Sequence, residues 1–425
     1  MIISLQINTW RANAFMRILV TGSKGFVGQN LVWNLKEIKE GKNRTRPNLS
    51  ISEIIEYDVD TSREELEWAC EKADFVLHFA GVNRPKDNSE FQSGNCDFTV
   101  ELLGLLKGKG NTCPILLSSS IQASLEGRFA GSEYGKSKLA AEEAVFEYGE
   151  ATGTKALVYR FPNLFGKWCR PNYNSVVATF CNAVANDLEY RVDDANTELE
   201  LLYVDDLVEG VLDALEGKAK RCEYDGVNVV EKSDGRYCYI SPTHKVTLGH
   251  IIDTLKYFKG MPGTLLVPSI PAGSFEKKLF STYLTYLPPE KLSYNLDMNV
   301  DNRGIFTELL KSGDSGQVSI NIARPGITRG EHWHNSKWEI FMVVSGHGLI
   351  QERRIGINPE NGREYPVIEF EVTGEQMKAI QMVPGYAHNI KNLSSTHDLV
   401  TVMWANEQFD DKHPDTFYEA VANRG

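Results

Sequence analysis

A chain of 425 residues, 42% hydrophobic and 24% charged, has room for two or three domains, each with a core of its own. Its formal charge is −12, from 45 Lys and Arg against 57 Asp and Glu, and no stretch is basic enough to wrap a nucleic-acid backbone or hold an anionic membrane. With no apolar window of about 18 residues and no charged leader ending in small residues, neither a membrane span nor a secretory signal is predicted, and the cytoplasm is the expected compartment.

Seven cysteines at scattered spacings fit reduced thiols rather than a disulfide frame. The residues before Met16 have no clear place in the fold, which is read from Met16-Arg17-Ile18 onward. Ile18-Leu19-Val20 predicts a buried strand, and Phe26, Val27, Leu31, Val32 and Leu35 recur at helical spacing. Between them lies Gly22-x-x-Gly25-x-x-Gly28. Glycines there serve a tight turn, close approach to phosphate and close helix packing, while the helix N-terminus suits a pyrophosphate. Gly22, Lys24, Gly25, Phe26, Val27 and Gly28 are the candidate cofactor contacts; the bland alternative is an ordinary strand-to-helix turn.

Glu40 to Ser50 reads as a surface loop, and Ile54 to Asp58 as a second strand ending in acid. An acid there holds the adenosine ribose hydroxyls and repels a 2'-phosphate, so Asp58 favours NAD over NADP, unless it is only a solvated turn residue. Phe75 to His78 predicts a third strand running into the small-residue turn Ala80-Gly81, two further candidate cofactor contacts. His78 is expected to be a packed strand histidine. Ile115 to Ser120 predicts a fourth strand, and the alternation of strands and helices predicts a doubly wound, Rossmann-type parallel sheet. Tyr134 and Lys138 stand four apart, one helical turn, where an ammonium lowers the phenol's pKa and makes a proton donor. Ser120 can share the substrate oxygen. A surface helix pair is the alternative.

These residues, with Arg160-Phe161-Pro162-Asn163-Leu164-Phe165-Gly166 and Tyr203-Val204-Asp205-Asp206, resemble the extended short-chain dehydrogenase/reductase family over roughly 16–280. The resemblance implies that Ser120, Tyr134 and Lys138 are catalytic and that a nucleotide sugar is the substrate. The segment Gly166 to Ser175 takes the place where that family holds its sugar nucleotide: Lys167 and Arg170 would meet the diphosphate, and Asn163, Asn172 and Tyr173 the sugar. The alternative there is a solvated basic loop. Gly217 to Pro242 reads as a polar insert, and Leu287-Pro288-Pro289 closes the region, giving domains at 16–285 and 290–425.

Beyond Pro289 short strands alternate with Gly and Pro turns, as in Gln317 to Ile322, which predicts an all-β barrel. Gly326-x5-His332-Trp333-His334-x4-Glu339-x6-Gly346, followed by Pro384-Gly385-Tyr386-Ala387-His388, resembles the two cupin motifs. Histidines two apart on a strand point the same way, and Glu339 and His388 can close a cage around a divalent metal. Zinc is expected, although N and O ligands also suit nickel, manganese or iron. A metal-free histidine cluster in a barrel mouth is the alternative.

Such a reductase fused to a cupin resembles the CapF-type UDP-sugar reductases of bacterial capsular polysaccharide synthesis. Gly81-Val82-Asn83-Arg84-Pro85, Pro162 to Cys169 and Asn172 to Val176 carry the match, and Asn83 and Arg84 join the candidate substrate contacts. The resemblance implies that the cupin epimerises C3 of a UDP-4-keto-6-deoxy-HexNAc and that the reductase then reduces C4 with NADPH, giving UDP-2-acetamido-2,6-dideoxy-L-talose. Asp58 sits where a 2'-phosphate needs a cation, so NADH remains an alternative to NADPH. A homodimer is expected. Two rival readings are an NAD-dependent nucleotide-sugar 4-epimerase or dehydratase with a structural, dimerising cupin, and a non-catalytic nucleotide-sugar sensor.

Overall fold

Ile18, Leu19 and Val20 have no exposed surface, which consecutive strand residues achieve only when both faces of their sheet are covered. In the computed structural model, which describes residues 15–422, they form β1 (Met16–Thr21) inside an eight-stranded sheet. The chain divides into two compact units. The first runs to Leu255 and includes Lys278–Leu287; the second comprises Lys256–Lys277 and continues from Pro288.

In the first unit β1, β2 (Ile51–Tyr57), β3 (Phe75–His78), β4 (Ile115–Ser120) and β5 (Ala156–Phe161) are parallel, in the order β2-β1-β3-β4-β5. Helix α1 (Phe26–Lys39) and the later helix Val204–Leu215 cover one face, sharing a core with Ile18 and Val20. On the other face α2 (Arg63–Lys72) packs with the helices Phe98–Gly108 and Glu133–Thr152 around Leu19. Because β2 and β3 lie on opposite sides of β1, the winding reverses at β1. The glycine loop leaves β1 at this switch point, where open sheets of this kind bind ligands at the carboxyl ends of their strands.

Gly217 to Pro242 is not an insert. Three strands there, Arg221–Asp225, Asn228–Glu231 and Tyr237–Cys238, extend the same sheet beyond β5. Only Cys222, Tyr237 and Cys238 are buried, while all four residues of Asn228–Glu231 are exposed, so charged residues mask a half-buried edge in the sequence. The second strand also starts earlier than its apolar core suggests, at Ile51, and ends at Tyr57, leaving Asp58 just beyond it. None of the seven cysteines is in a disulfide.

From Met298 onward the second unit is built of β-strands. A seven-stranded sheet contains Gly304–Ser312, Gly316–Ala323, Leu399–Ala405 and Glu339–Ser345 as antiparallel neighbours, and a five-stranded sheet contains Ile368–Thr373, His347–Arg354, Tyr386–Asn392, Thr328–Trp333 and Phe417–Tyr418. Phe341 and Val343 from the first sheet share a core with Ile350, Val372 and Ile390 from the second. This is the double-layered arrangement that strands alternating in burial dictate.

Candidate active and metal sites

Gly22 stands at φ +71, and a Cβ there would come within 2.6 Å of the Ala80 nitrogen. A Cβ on Gly28 would lie 2.1 Å from the Gly22 carbonyl oxygen. The first glycine therefore serves the turn and the last the close seating of α1 on β1. No side chain caps α1 and its first turn holds no acid, so its N-H groups remain available to an anion. These residues fit a dinucleotide pyrophosphate.

The loop opens on a cavity of about 690 Å³ lined by Gly22, Lys24, Gly25, Phe26, Val27, Gly28, Gly81, Asn83, Ser120, Tyr134, Lys138, Asn163, Arg170 and Tyr173. Trp168 and Asn174, from the segment expected to meet the sugar nucleotide, line it too, as do Gln122, Arg128 and Phe129, which the sequence reading passed over. Five expected residues do not line it. Ala80 backs the glycine turn. Lys167 is ion-paired with Asp205, and its carbonyl accepts from Asn30 Nδ2 at 3.2 Å. Asn172 is an exposed turn residue at φ +54 whose N-H donates to Thr179 Oγ1, and Arg84 is exposed. Asp58 accepts from the backbone N-H of Lys24 at 2.8 Å and of Val59 at 2.9 Å, while the Lys24 ammonium is paired with Asp60.

Tyr134 and Lys138 share one face of the helix Glu133–Thr152, whose N-cap Ser132 accepts from Gly135 N-H at 2.9 Å. Burial pushes the Tyr134 phenol up to about 12, against the hydrogen bond from Ser120. It also pushes the Lys138 ammonium down to about 8, against the attraction of Glu142. The expected lowering of the phenol by the ammonium is therefore not what this site shows. Desolvation dominates, and Lys138 Nζ donates to the Ser118 carbonyl at 3.0 Å, 5.9 Å from the centroid of the Tyr134 ring.

His78 is buried between two threonines, with Nδ1 2.6 Å from Thr21 Oγ1 and Nε2 2.9 Å from Thr99 Oγ1. Burial holds it neutral, down to about 3, so it is the packed strand residue expected. A π-helical turn, Gln92–Asp97, carries a residue the sequence reading missed. Asn95 Oδ1 accepts from Val82 N-H at 2.9 Å, and its Nδ2 donates to the Val82 carbonyl at 2.9 Å and to Ser137 Oγ at 3.0 Å. It thereby ties the loop after β3 to the helix that bears Tyr134.

In the second unit His332, His334, Glu339 and His388 converge, their ligand atoms all within 4.8 Å of one another. His332 and His388 face each other on neighbouring strands, and Glu339 begins a strand of the other sheet. Glu339 Oε2 lies 3.3 Å from Nε2 of both His334 and His388. His388 has no exposed surface, and its Nδ1 lacks a hydrogen-bond partner. An unpaired buried polar group costs about 1–3 kcal/mol, and three imidazoles and a carboxylate are a set of four ligands that suits a divalent cation. Burial holds His332 neutral, down to about 3, with His388 adding to the effect. Burial opposes the charge of Glu339, yet hydrogen bonds from His334 and His388 keep it well below the usual carboxylate range. Those protonation states are the ones that donate electron pairs to a metal.

Residues 18–229 match the NAD dependent epimerase/dehydratase family, and residues 299–417 match the polysaccharide biosynthesis C-terminal domain. Over 402 residues the chain is 36% identical to the UDP-2-acetamido-2,6-beta-L-arabino-hexul-4-ose reductase of Pseudomonas aeruginosa, covering 95% of this chain and 98% of that one. The crystal structure of the capsular polysaccharide assembling protein CapF from Staphylococcus aureus superposes with a TM-score of 0.81 at 44% identity, covering 96% of this chain and 100% of that chain. A second crystal form of the same protein, in space group C2221, gives a TM-score of 0.75 at 40% identity over the same shares. With an NAD(P)-binding unit of the epimerase type followed by an all-β unit, and with similarity running through both, the chain belongs to the CapF family of nucleotide-sugar enzymes of capsular polysaccharide biosynthesis.

Proposed function

We propose that this chain acts in the cytoplasm, as a homodimer, on a UDP-4-keto-6-deoxy-HexNAc: it epimerises C3 in the all-β unit, a metal-binding cupin, and reduces C4 in the first unit. The product is UDP-2-acetamido-2,6-dideoxy-L-talose. The observation that carries the reading is the presence of two separate polar centres of different chemistry, a Ser-Tyr-Lys set on a dinucleotide-sized cavity and a four-ligand cage. The homodimer rests on family resemblance alone.

When bound, a reduced nicotinamide supplies the hydride for C4, and a divalent metal, zinc by its ligand set, draws charge from a carbonyl oxygen. Tyr134 gives the proton to the C4 oxygen, and its phenol, pushed up by burial, holds that proton throughout the neutral range. Ser120 holds the same oxygen in place. Lys138 sets a positive charge beside the phenolate as it forms. Gly22, Gly25 and Gly28 hold the pyrophosphate, and Asp58, with Lys24 already paired to Asp60, favours NADH over NADPH. His332, His334, Glu339 and His388 hold the metal. A C3 hydrogen is acidic only while C4 is a ketone, so epimerisation comes before reduction.

The 4-keto sugar in deuterium oxide tests this. Tyr134→Phe is expected to exchange deuterium into C3 while consuming reduced cofactor about a hundredfold or more slower than wild type; His388→Ala is expected to exchange none and to reduce slowly. Equal exchange with and without the ligand would leave the second unit structural and the protein a plain ketoreductase. The epimerase/dehydratase match favours one other reading, an NAD-dependent 4-epimerase or dehydratase, which turns over without net consumption of NADH or NADPH.

A further inference from the structure

We propose that Asp415, 76 positions beyond the third metal ligand, is the positioning residue of the metal centre. The inference rests on the metal reading above and concerns what holds the cage in shape. The turn 335–337 joins the ligands His334 and Glu339, and Asn335 and Ser336 in it are exposed, so packing does little to fix it. The Asp415 carboxylate fixes it instead. Oδ1 accepts from Asn335 N-H at 2.8 Å and from Asn335 Nδ2 at 3.0 Å; Oδ2 accepts from Ser336 N-H at 2.8 Å, Lys337 N-H at 3.0 Å and Ser336 Oγ at 3.3 Å.

The same residue also orients a ligand ring. Its backbone carbonyl pairs with His334 Nδ1, and since a carbonyl only accepts, Nδ1 must carry the proton. With Nδ1 so held, Nε2 is the ring nitrogen turned toward Glu339 and the cage, 3.3 Å from Oε2. One residue thus sets both the angle of His334 and the path to Glu339.

Asp415 is itself held from behind. Phe417 and Tyr418 pair with Trp333 and His332, and Val421 N-H donates to Glu331 Oε2 at 2.6 Å. Buried Arg353 donates from Nε to the Val421 carbonyl at 2.7 Å and from Nη2 to the Ala420 carbonyl at 2.8 Å. The arm from Asp415 to Val421 is clamped at its far end and delivers its near end to the cage.

The test uses the full chain loaded with zinc. Asp415→Ala is expected to release zinc to a colorimetric chelator ten- to a hundredfold faster than wild type, the usual effect of removing an outer-sphere partner. Asp415→Asn, which keeps one acceptor oxygen, should fall between and serves if the alanine variant does not fold. Wild-type release rates in the folded variants would overturn the proposal. So would an equal loss of melting temperature with and without zinc at an unchanged release rate, which marks a purely structural residue. A wild-type protein that takes up no zinc would instead defeat the metal reading on which the proposal stands.

Discussion

Arg160 grips Glu142 through both arms of its guanidinium, Nε at 2.9 Å from one carboxylate oxygen and Nη2 at 2.6 Å from the other. Glu142 has no exposed surface, and it stands one helical turn beyond Lys138, two beyond Tyr134. Ser119 donates to the same carboxylate, and Tyr237 OH receives from Arg160 Nη2 at 3.0 Å. The pair therefore locks the helix that bears Tyr134 to the end of β5, and Ser119 ties it to the end of β4, where Ser118 and Ser120 meet Lys138 and Tyr134.

Glu142→Gln would leave the Arg160 charge buried with no counter-ion, which typically costs about 3–5 kcal/mol. Urea unfolding followed by tryptophan fluorescence is expected to show a loss of that size. The variant should also lose reduction at a lower pH than wild type, because Glu142 is what draws the Lys138 ammonium upward and its loss lets the amine deprotonate earlier. An unchanged alkaline limb would remove Glu142 from any influence on Lys138.

Tyr134→Phe is expected to slow reduction about a hundredfold or more while leaving dinucleotide affinity near wild type, since proton transfer contributes roughly 10² to 10⁴. Single-turnover rates and cofactor titration separate the two quantities. A wild-type rate would exclude Tyr134 as the donor.

Lys138 gives a stability prediction with a definite sign. Folding lowers its pKa from 10.5 to about 8, so between those values the unfolded chain binds the extra proton and stability rises with pH. Below pH 8 the penalty of a buried ammonium is fully present. Lys138→Met should therefore abolish reduction yet melt higher than wild type at pH 7, by an amount on the order of 2 kcal/mol, and the advantage should fade as pH rises toward 10. Calorimetry at pH 7 and pH 10 checks both ends; a variant that melts lower at pH 7 would contradict it.

Arg128 and Arg170 both line the cavity. If they meet the substrate diphosphate, Ala at either position should raise KM for the sugar nucleotide about ten- to a hundredfold, as loss of a charge-assisted hydrogen bond worth roughly 1.5–3 kcal/mol would, with kcat little changed. A rise in KM for the dinucleotide alone would reassign them.

What could be read in the sequence was local. Tyr134 and Lys138 announce themselves by one helical turn, the glycine loop by its place between an apolar strand and an amphipathic helix, and two of the four members of the His/Glu cluster by alternation along one strand. What could not be read depends on partners far along the chain. Lys167 looks like a free cation until Asp205, 38 positions on, is folded against it. Asp415 is invisible beside His334 because the chain must run 81 residues before they meet. Tyr134 shows the same limit for energetics, since spacing reveals a neighbouring ammonium but not the desolvation that raises the phenol.

The π-helical turn at Gln92–Asp97 sets local helix regularity against the needs of the site. Such a turn holds one residue more than an α-helical turn, and single-turn π segments inside α-helices often mark functional sites. Excising one residue there would let the segment relax into continuous α-helix, with Phe98–Gly108 still in phase to pack against the sheet. Asn95 would swing away from Val82, and the loop beside Lys138 would lose its clasp on both the N-H and the carbonyl of that residue. The shortened helix would be the better helix and the poorer scaffold, so a deletion harmless to folding at this point would still be a lesion in catalysis.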